Sequence, residues 1–372
     1  MICSCQQLAP LAFVLGYFAA FASPSPQVAL AEVANASPGQ AVAKWVALME
    51  NEDPGARRRA AYALGQLGPA AAPAVAALSN ALSDRHLEVR WYALDALGRI
   101  GPKAEEALSA IVAALQDSQN DKNVRVAAAR SLGRIGPPAR TALPALRDAQ
   151  NGDEAEARVA AAVAIWRIDG ADAAINVLGT ELGSNNRVGS FAAAMALLEL
   201  GADASPAAPA LTEALGHREP DVRRAAARTL GQWGMSALPG LRDAIGAAEP
   251  AKRAAAARAC GWIADDIRTR VLYGPETSNH LFKQTAVEVY DKIVPLVIVA
   301  ARDPQREVQD AGLEALACVG PPAVPILLKW LTAADQTSRA RAQRGLVALE
   351  RYLPEAEVPD GMAQINKRVL PR

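Results

Sequence analysis

A short string ending in Gly-Pro returns along this chain at nearly fixed spacing. Clear copies are Leu64-Gly65-Gln66-Leu67-Gly68-Pro69, Leu97-Gly98-Arg99-Ile100-Gly101-Pro102 and Leu132-Gly133-Arg134-Ile135-Gly136-Pro137. Weaker copies end at Gly170, Gly201 and Gly234, and another returns as Val319-Gly320-Pro321. Successive glycines from Gly68 to Gly234 lie 31 to 35 residues apart. A period of that length marks a stack of helical hairpins rather than one large globular core. Composition agrees. Apolar residues make up 51% of the 372 positions but aromatics only 5%, which suits closely packed helices better than strands rich in aromatic and β-branched residues.

One unit shows the logic. Pro102 to Leu115 carries apolar residues at Ala107, Leu108, Ile111, Val112 and Leu115, the stripe of a first helix. Polar residues 116–123 break it, and Val124 to Ile135 forms a second helix with Val124, Ala127, Ala128, Leu132 and Ile135 inward. Gly136 stops that helix in the left-handed conformation, and the following proline does not extend it. A second proline recurs at Pro73, Pro144, Pro209, Pro239 and Pro325, suited to a first helical turn. Neither helix buries its stripe alone, so stacking makes the core.

The residues Glu88-Val89-Arg90 through Gly101, Asn123-Val124-Arg125 through Gly136, and Asp221-Val222-Arg223 through Gly234 resemble HEAT-like repeats of the phycobilisome (PBS) lyase type. A fair copy runs from Ala56-Arg57 to Gly68. Those around Arg158 and Arg253 are degraded, Gly189-Ser190 lacks the Val-Arg pair, and Val308-Gln309 lacks the Arg. The resemblance implies an all-α fold, an α-solenoid in which HEAT-like hairpins form a right-handed superhelix. It spans residues 42–353 in eight or nine units, with an insertion at about 265–291 and a C-terminal tail at 354–372.

The N-terminal 31 residues read as a signal peptide, because Leu8 to Ala22 is apolar and small-x-small sites follow, although no Lys or Arg precedes Lys44. Residues 32–41 read as a flexible leader. The expectation is export to a periplasmic or extracellular space, with no membrane span in the mature form; without a working signal the chain is cytoplasmic. Cys3 and Cys5 belong to the first segment. Cys260 and Cys318 read as small core residues.

Equivalent residues of stacked units form columns. One is a structural ladder of Arg57, Arg90, Arg125, Arg158, Arg223 and Arg253, continued by Arg341, each expected to bridge to an acidic or Asn residue of a neighbouring turn. Two others should face the concave side on the second helices. They run through Tyr62, Asp95, Arg130, Val163, Met195, Arg228, Arg258 and Glu314, and through Gln66, Arg99, Arg134, Arg167, Glu199, Gln232, Trp262 and Cys318. With Arg224 and the aromatics Trp91 and Phe191 nearby, the candidate binding set is Trp91, Arg99, Arg130, Arg134, Arg167, Phe191, Arg224, Arg228, Arg258 and Trp262. Arg and Trp commonly carry interface binding energy. In the insertion, Tyr273, His280 and Phe282 are further candidate contacts.

The function expected is a non-catalytic scaffold or adaptor holding a protein or peptide, with an acidic one matching the basic patches. Balanced charge, 39 basic against 39 acidic residues, argues against nucleic acid. The resemblance leaves a bilin lyase-like or chromophore-chaperone role open, and a spacer in an envelope assembly is a further alternative. Deoxyhypusine hydroxylase, a similar array, holds two irons with His-Glu pairs. Here His86, His217 and His280 are each followed by another residue, so that activity is not expected. No cofactor or metal is expected, no P-loop, GxSxG or HExxH occurs, and Asp265-Asp266 reads as a helix-end feature.

Overall fold

A computed structural model of the chain describes residues 38–273 and 279–352; side chains at 38, 271–273, 279–289, 351 and 352 lie outside the description. The expected signal peptide (1–31), most of the leader and the C-terminal tail also fall outside it. The described residues divide into two compact units, 38–181 and 182–352.

The first unit holds α1 (Pro38–Leu48), α2 (Pro54–Leu67), α3 (Val75–Asn80), α4 (Leu87–Ile100), α5 (Leu108–Gln116), α6 (Lys122–Ile135), α7 (Leu143–Gln150), α8 (Ala155–Asp169) and α9 (Asp172–Leu182), which ends at the boundary. The second holds α10 (Arg187–Leu200), α11 (Ala208–Ala214), α12 (Pro220–Trp233), α13 (Leu238–Ile245), α14 (Pro250–Tyr273), α15 (Asn279–Ala301), α16 (Arg306–Val319), α17 (Val324–Leu331) and α18 (Gln336–Tyr352). Each unit is a stack of helical hairpins, so the fold is an α-solenoid. The first helix starts at Pro38, inside the stretch expected to be leader.

The second helices follow their pattern. In α6, Val124, Ala128, Leu132 and Ile135 are at most 1% exposed. Asp53 caps α2 by accepting from the N–H groups of Gly55 and Ala56 at 2.9 and 3.0 Å, and Asp121 caps α6 through Asn123 at 2.8 Å. The second helices α2, α4, α6, α8, α10, α12 and α16 each stop at a positive-φ glycine. Only Gly170 (φ 67°, ψ 21°) is left-handed helical; Gly136 has φ 77° and ψ −143°. That region is still less open to a side chain than the expected one, so the stop demands glycine itself.

The first helices differ from expectation. Pro102 to Leu115 is not one helix: Gly101–Ala107 is 3₁₀, Ala104 bends at φ −90° and ψ 15°, and α5 starts at Leu108. The alanine pairs Ala71/Ala74, Ala104/Ala107, Ala139/Ala142 and Ala204/Ala207 are buried. Their three-residue spacing matches the 3₁₀ repeat, which brings both methyls to one side. Pro144, Pro209, Pro239 and Pro325 sit in the first turns of α7, α11, α13 and α17, while Pro73 lies within a 3₁₀ segment.

Within each unit the second helices pack against one another more closely than the first helices do. The first glycine of each repeated string makes this possible. A Cβ on Gly65 would meet Ala96 Cα at 3.2 Å, one on Gly98 would meet Ser131 Cα at 3.1 Å, and one on Gly133 would meet Ala164 Cα at 2.8 Å. Ser131 Oγ donates to Leu94 O at 2.5 Å, and Thr229 Oγ1 donates to Ala194 O at 3.2 Å, tying successive second helices together. Each unit therefore has a layer of second helices held close through these small residues.

The stretch Arg187–Ala214 is apolar enough to pass a length-and-composition test for a membrane span. Gly201, at φ 70°, breaks it into α10, a 3₁₀ segment and α11. Leu197, Ala204 and Leu211 are buried in the unit's own core.

Candidate functional site

The arginine ladder has an inner and an outer bond. Each rung is the fourth residue of its second helix. Arg57 donates to the carbonyls of Asn51 and Glu52 at 2.7 and 3.0 Å, Arg158 to Gly152 at 2.9 Å, Arg223 to His217 and Arg218 at 2.7 and 2.9 Å, and Arg253 to Ala247 and Ala248 at 2.9 and 2.7 Å. The guanidinium thus closes its own hairpin turn, where backbone acceptors lack helical partners. Arg90 does so through Asp84 O at 2.7 Å. The last rung is Arg339, bonded to Ala333 and Ala334 at 2.8 and 2.6 Å, and not Arg341. Arg339 is the fourth residue of α18, and the helix start sets the register. Where arginine is lost, Ser190 and Gln309 keep a bond to the same kind of carbonyl, Ser184 O at 3.0 Å and Asp303 O at 3.3 Å.

The outer bond reaches a carboxylate of the next turn. Arg57 meets Asp84 through two N–H groups at 2.6 and 3.0 Å, Arg158 meets Glu181 at 2.7 and 3.1 Å, and Arg253 meets Asp303 at 2.7 and 3.1 Å. Arg125 reaches Glu154 as well as the Asn120 carbonyl. Among the described residues, Arg90 and Arg223 form no such bridge to a neighbouring acid. Burial raises the Asp84 and Asp303 carboxyls, but the arginine hydrogen bonds and charges and a backbone N–H outweigh it, leaving both below the usual range.

The second-helix layer of the first unit carries five of the candidate residues. Arg99 and Arg130 are exposed, Arg134 is exposed one turn beyond Arg130 on α6, and Trp91 and Arg167 are half-buried. Asp95 joins two of them: it accepts from Arg99 Nε at 2.7 Å and from Arg134 Nη1 at 2.6 Å. Their stems rest over small residues. A Cβ on Gly65 would lie 3.5 Å from Arg99 Cδ, and one on Gly98 would lie 3.3 Å from Arg134 Cδ. Beside this pair, Trp91 and Tyr92 meet edge to face at 4.8 Å between ring centroids, and Tyr62 and Tyr92 do so at 5.8 Å. Burial pushes the Tyr92 phenol up. Sequence columns missed Tyr92, because it follows Trp91 directly and belongs to a different column.

The second-helix layer of the second unit carries Phe191, Arg224, Arg228, Arg258 and Trp262. Arg224 is exposed and the others are half-buried. Trp262 lies over Gly231, whose Cβ would meet the Trp262 Cβ at 3.0 Å, so the indole occupies the place that arginine stems take over Gly65 and Gly98. Cys318, in the same column, is 4% exposed and faces the core instead of the concave side expected for that column. Burial pushes the Cys260 thiol up to about 12, so Cys260 does not present a reactive thiolate.

The insertion is not a separate element in its described part. Its residues lengthen α14 to Tyr273 and start α15 at Asn279. The side chains of Tyr273, His280 and Phe282 lie outside the described residues. Asp265 and Asp266 are not at a helix end but well inside α14. Asp265 is buried against Arg268 at 2.7 Å, while Asp266 is exposed and pairs with Arg270 at 2.9 Å. Consecutive helical positions point them apart, so they do not act together. Among the described residues, no three His, Cys, Asp or Glu side chains converge as a metal site.

The geometry is that of a helical-repeat array, and family models agree. HEAT repeats match residues 75–166 and 208–290, and the PBS lyase HEAT-like repeat matches residues 56–84, together more than half of the chain. The chain is a HEAT-repeat protein. No curated protein matches it. Among solved structures, yeast importin-beta (Kap95p) is similar at 16% identity and a TM-score of 0.51, over 93% of this chain and 49% of that one. The Kap95:Nup1 complex is similar at 15% identity and a TM-score of 0.48, over 88% and 47%. Human deoxyhypusine hydroxylase gives 22% identity and a TM-score of 0.32, over 77% and 99%. This chain spans about half the length of the importin-beta chains.

Proposed function

We propose that the chain is a non-catalytic scaffold that holds a protein or peptide partner against the second-helix face of its hairpins. HEAT-repeat proteins generally bind proteins. The observation that carries the reading here is Asp95, one carboxylate shared by Arg99 and Arg134 on neighbouring helices. The balance on that face favours an acidic partner surface, and the half-buried Trp91 beside it supplies an apolar anchor.

The test is capture from the native host by the tagged full chain, compared with Arg130→Glu/Arg134→Glu/Arg167→Glu. Loss of captured protein with an unchanged melting curve is expected. Unchanged capture by that variant removes the reading. We further propose export, on the strength of the apolar run from Leu8 to Ala22. Mass spectrometry of the N-terminus checks it, and a chain in its native host still beginning at Met1 ends the proposal.

A further inference from the structure

On α2, α4 and α6 of the first unit, an aromatic row lies next to a pair of arginine forks. Tyr62, Tyr92 and Trp91 are linked edge to face and are all half-buried. One turn further along α4, Asp95 receives a single N–H group from each of Arg99 and Arg134. The Arg99 and Arg134 side chains remain 42% and 38% exposed. One carboxylate therefore stands against two cations. Because the stems of Arg99 and Arg134 rest over Gly65 and Gly98, the forks are held in place before anything binds.

We infer that this surface takes an extended protein segment bearing an apolar side chain and, two residues away, an acidic one. The inference rests on the scaffold reading and names the chemistry of its partner. Both guanidiniums converge on Asp95, four positions from Trp91 on α4, about 6 Å along a helix that rises about 1.5 Å per residue. An extended chain rising roughly 3.3 Å per residue covers that distance in about two residues, which also puts both side chains on one face. The apolar side chain packs on the aromatic row, and the carboxylate takes the free donors of Arg99 and Arg134, a fork geometry that suits carboxylates. A single-stranded nucleic acid fits less well. Each edge-to-face contact spends a ring face that a stacked base would need.

Fluorescence anisotropy with the full chain tests this. The probes are labelled Gly/Ser nonapeptides carrying one Leu and a Glu-Glu pair, separated by one to six positions. Binding is expected to peak at a separation of two. Arg134→Gln and Trp91→Ala are each expected to weaken the best peptide at least about fivefold, with Arg140→Gln as an exposed control that leaves it unchanged; melting curves accompany each variant. Binding that ignores the separation, survives both substitutions or is absent for every peptide overturns the inference. So does tighter binding of an oligothymidylate than of the best peptide. A chain that captures host protein through Arg130, Arg134 and Arg167 but ignores all peptides loses only this inference; capture indifferent to those arginines removes the scaffold reading.

Discussion

Arg253 and Asp303 lie fifty positions apart, yet the guanidinium meets the carboxylate at 2.7 and 3.1 Å. The equivalent Arg57–Asp84 bond spans twenty-seven positions. The extra residues of α14 and α15 are thus carried outside the ladder, and the rung closes on the turn after α15 as it closes elsewhere on a nearer one. The side chains are 14% and 11% exposed. Arg253→Ala is therefore expected to destabilise the second unit by about 3 kcal/mol, chiefly by stranding a buried carboxylate. Arg253→Met with Asp303→Leu should recover most of that loss. Denaturant midpoints followed by circular dichroism decide it.

Acid should loosen the same rungs. The Asp84 and Asp303 carboxyls sit below their ordinary value of 3.8 in the folded chain. Their contribution is complete above that unfolded value and is lost as pH falls through the lower folded one. Stability measured from pH 6 down to pH 2 is expected to fall less steeply below about pH 4 in Asp84→Asn than in the parent. Equal slopes would contradict the assignment.

The two glycines of the repeated string should fail differently. Gly133→Ala drives a methyl into the α8 backbone, with Cβ 2.8 Å from Ala164 Cα, and is expected to cost about 1–3 kcal/mol. Gly136 has nothing within 4 Å of its Cβ position but a φ of 77°. Its substitution meets backbone strain only, so Gly136→Asn should be milder than Gly136→Val. Thermal melts of the three variants test the ranking.

Cys260, with its thiol pushed up to about 12 by burial, should resist iodoacetamide at pH 8 in the folded chain and react fully in denaturant. Peptide mass spectrometry reads the difference. Labelling of Cys260 under native conditions at the denatured rate would show the α14 packing to be wrong.

Much of this fold could be read from the chain because its signals are local. Stripes such as Val124, Ala128 and Leu132 and a stop such as Gly136 need only one hairpin to make sense. The 3₁₀ entry to the first helices was missed, since Ala104 and Ala107 are equally at home in an α-helix and only their three-residue spacing hints otherwise. The first glycine of each string, as in Gly98, reads as a weak helix residue until its neighbour Ser131 is seen beneath it. A recurrent small residue two positions before each such glycine was the available clue. The site was less legible. Columns placed Arg99 and Arg134 together, but the carboxylate of Asp95 that joins them, and the part played by Tyr92, depend on how successive helices are offset.

The inner bond of the ladder has a bearing on how such chains change length. Arg223 and Arg339 fasten only the turn that precedes their own helix. A hairpin fastened this way asks little of what lies before or after it. Duplicating or excising one leaves every other turn sealed, which makes the number of modules a quantity that inheritance can adjust without redesigning any single module.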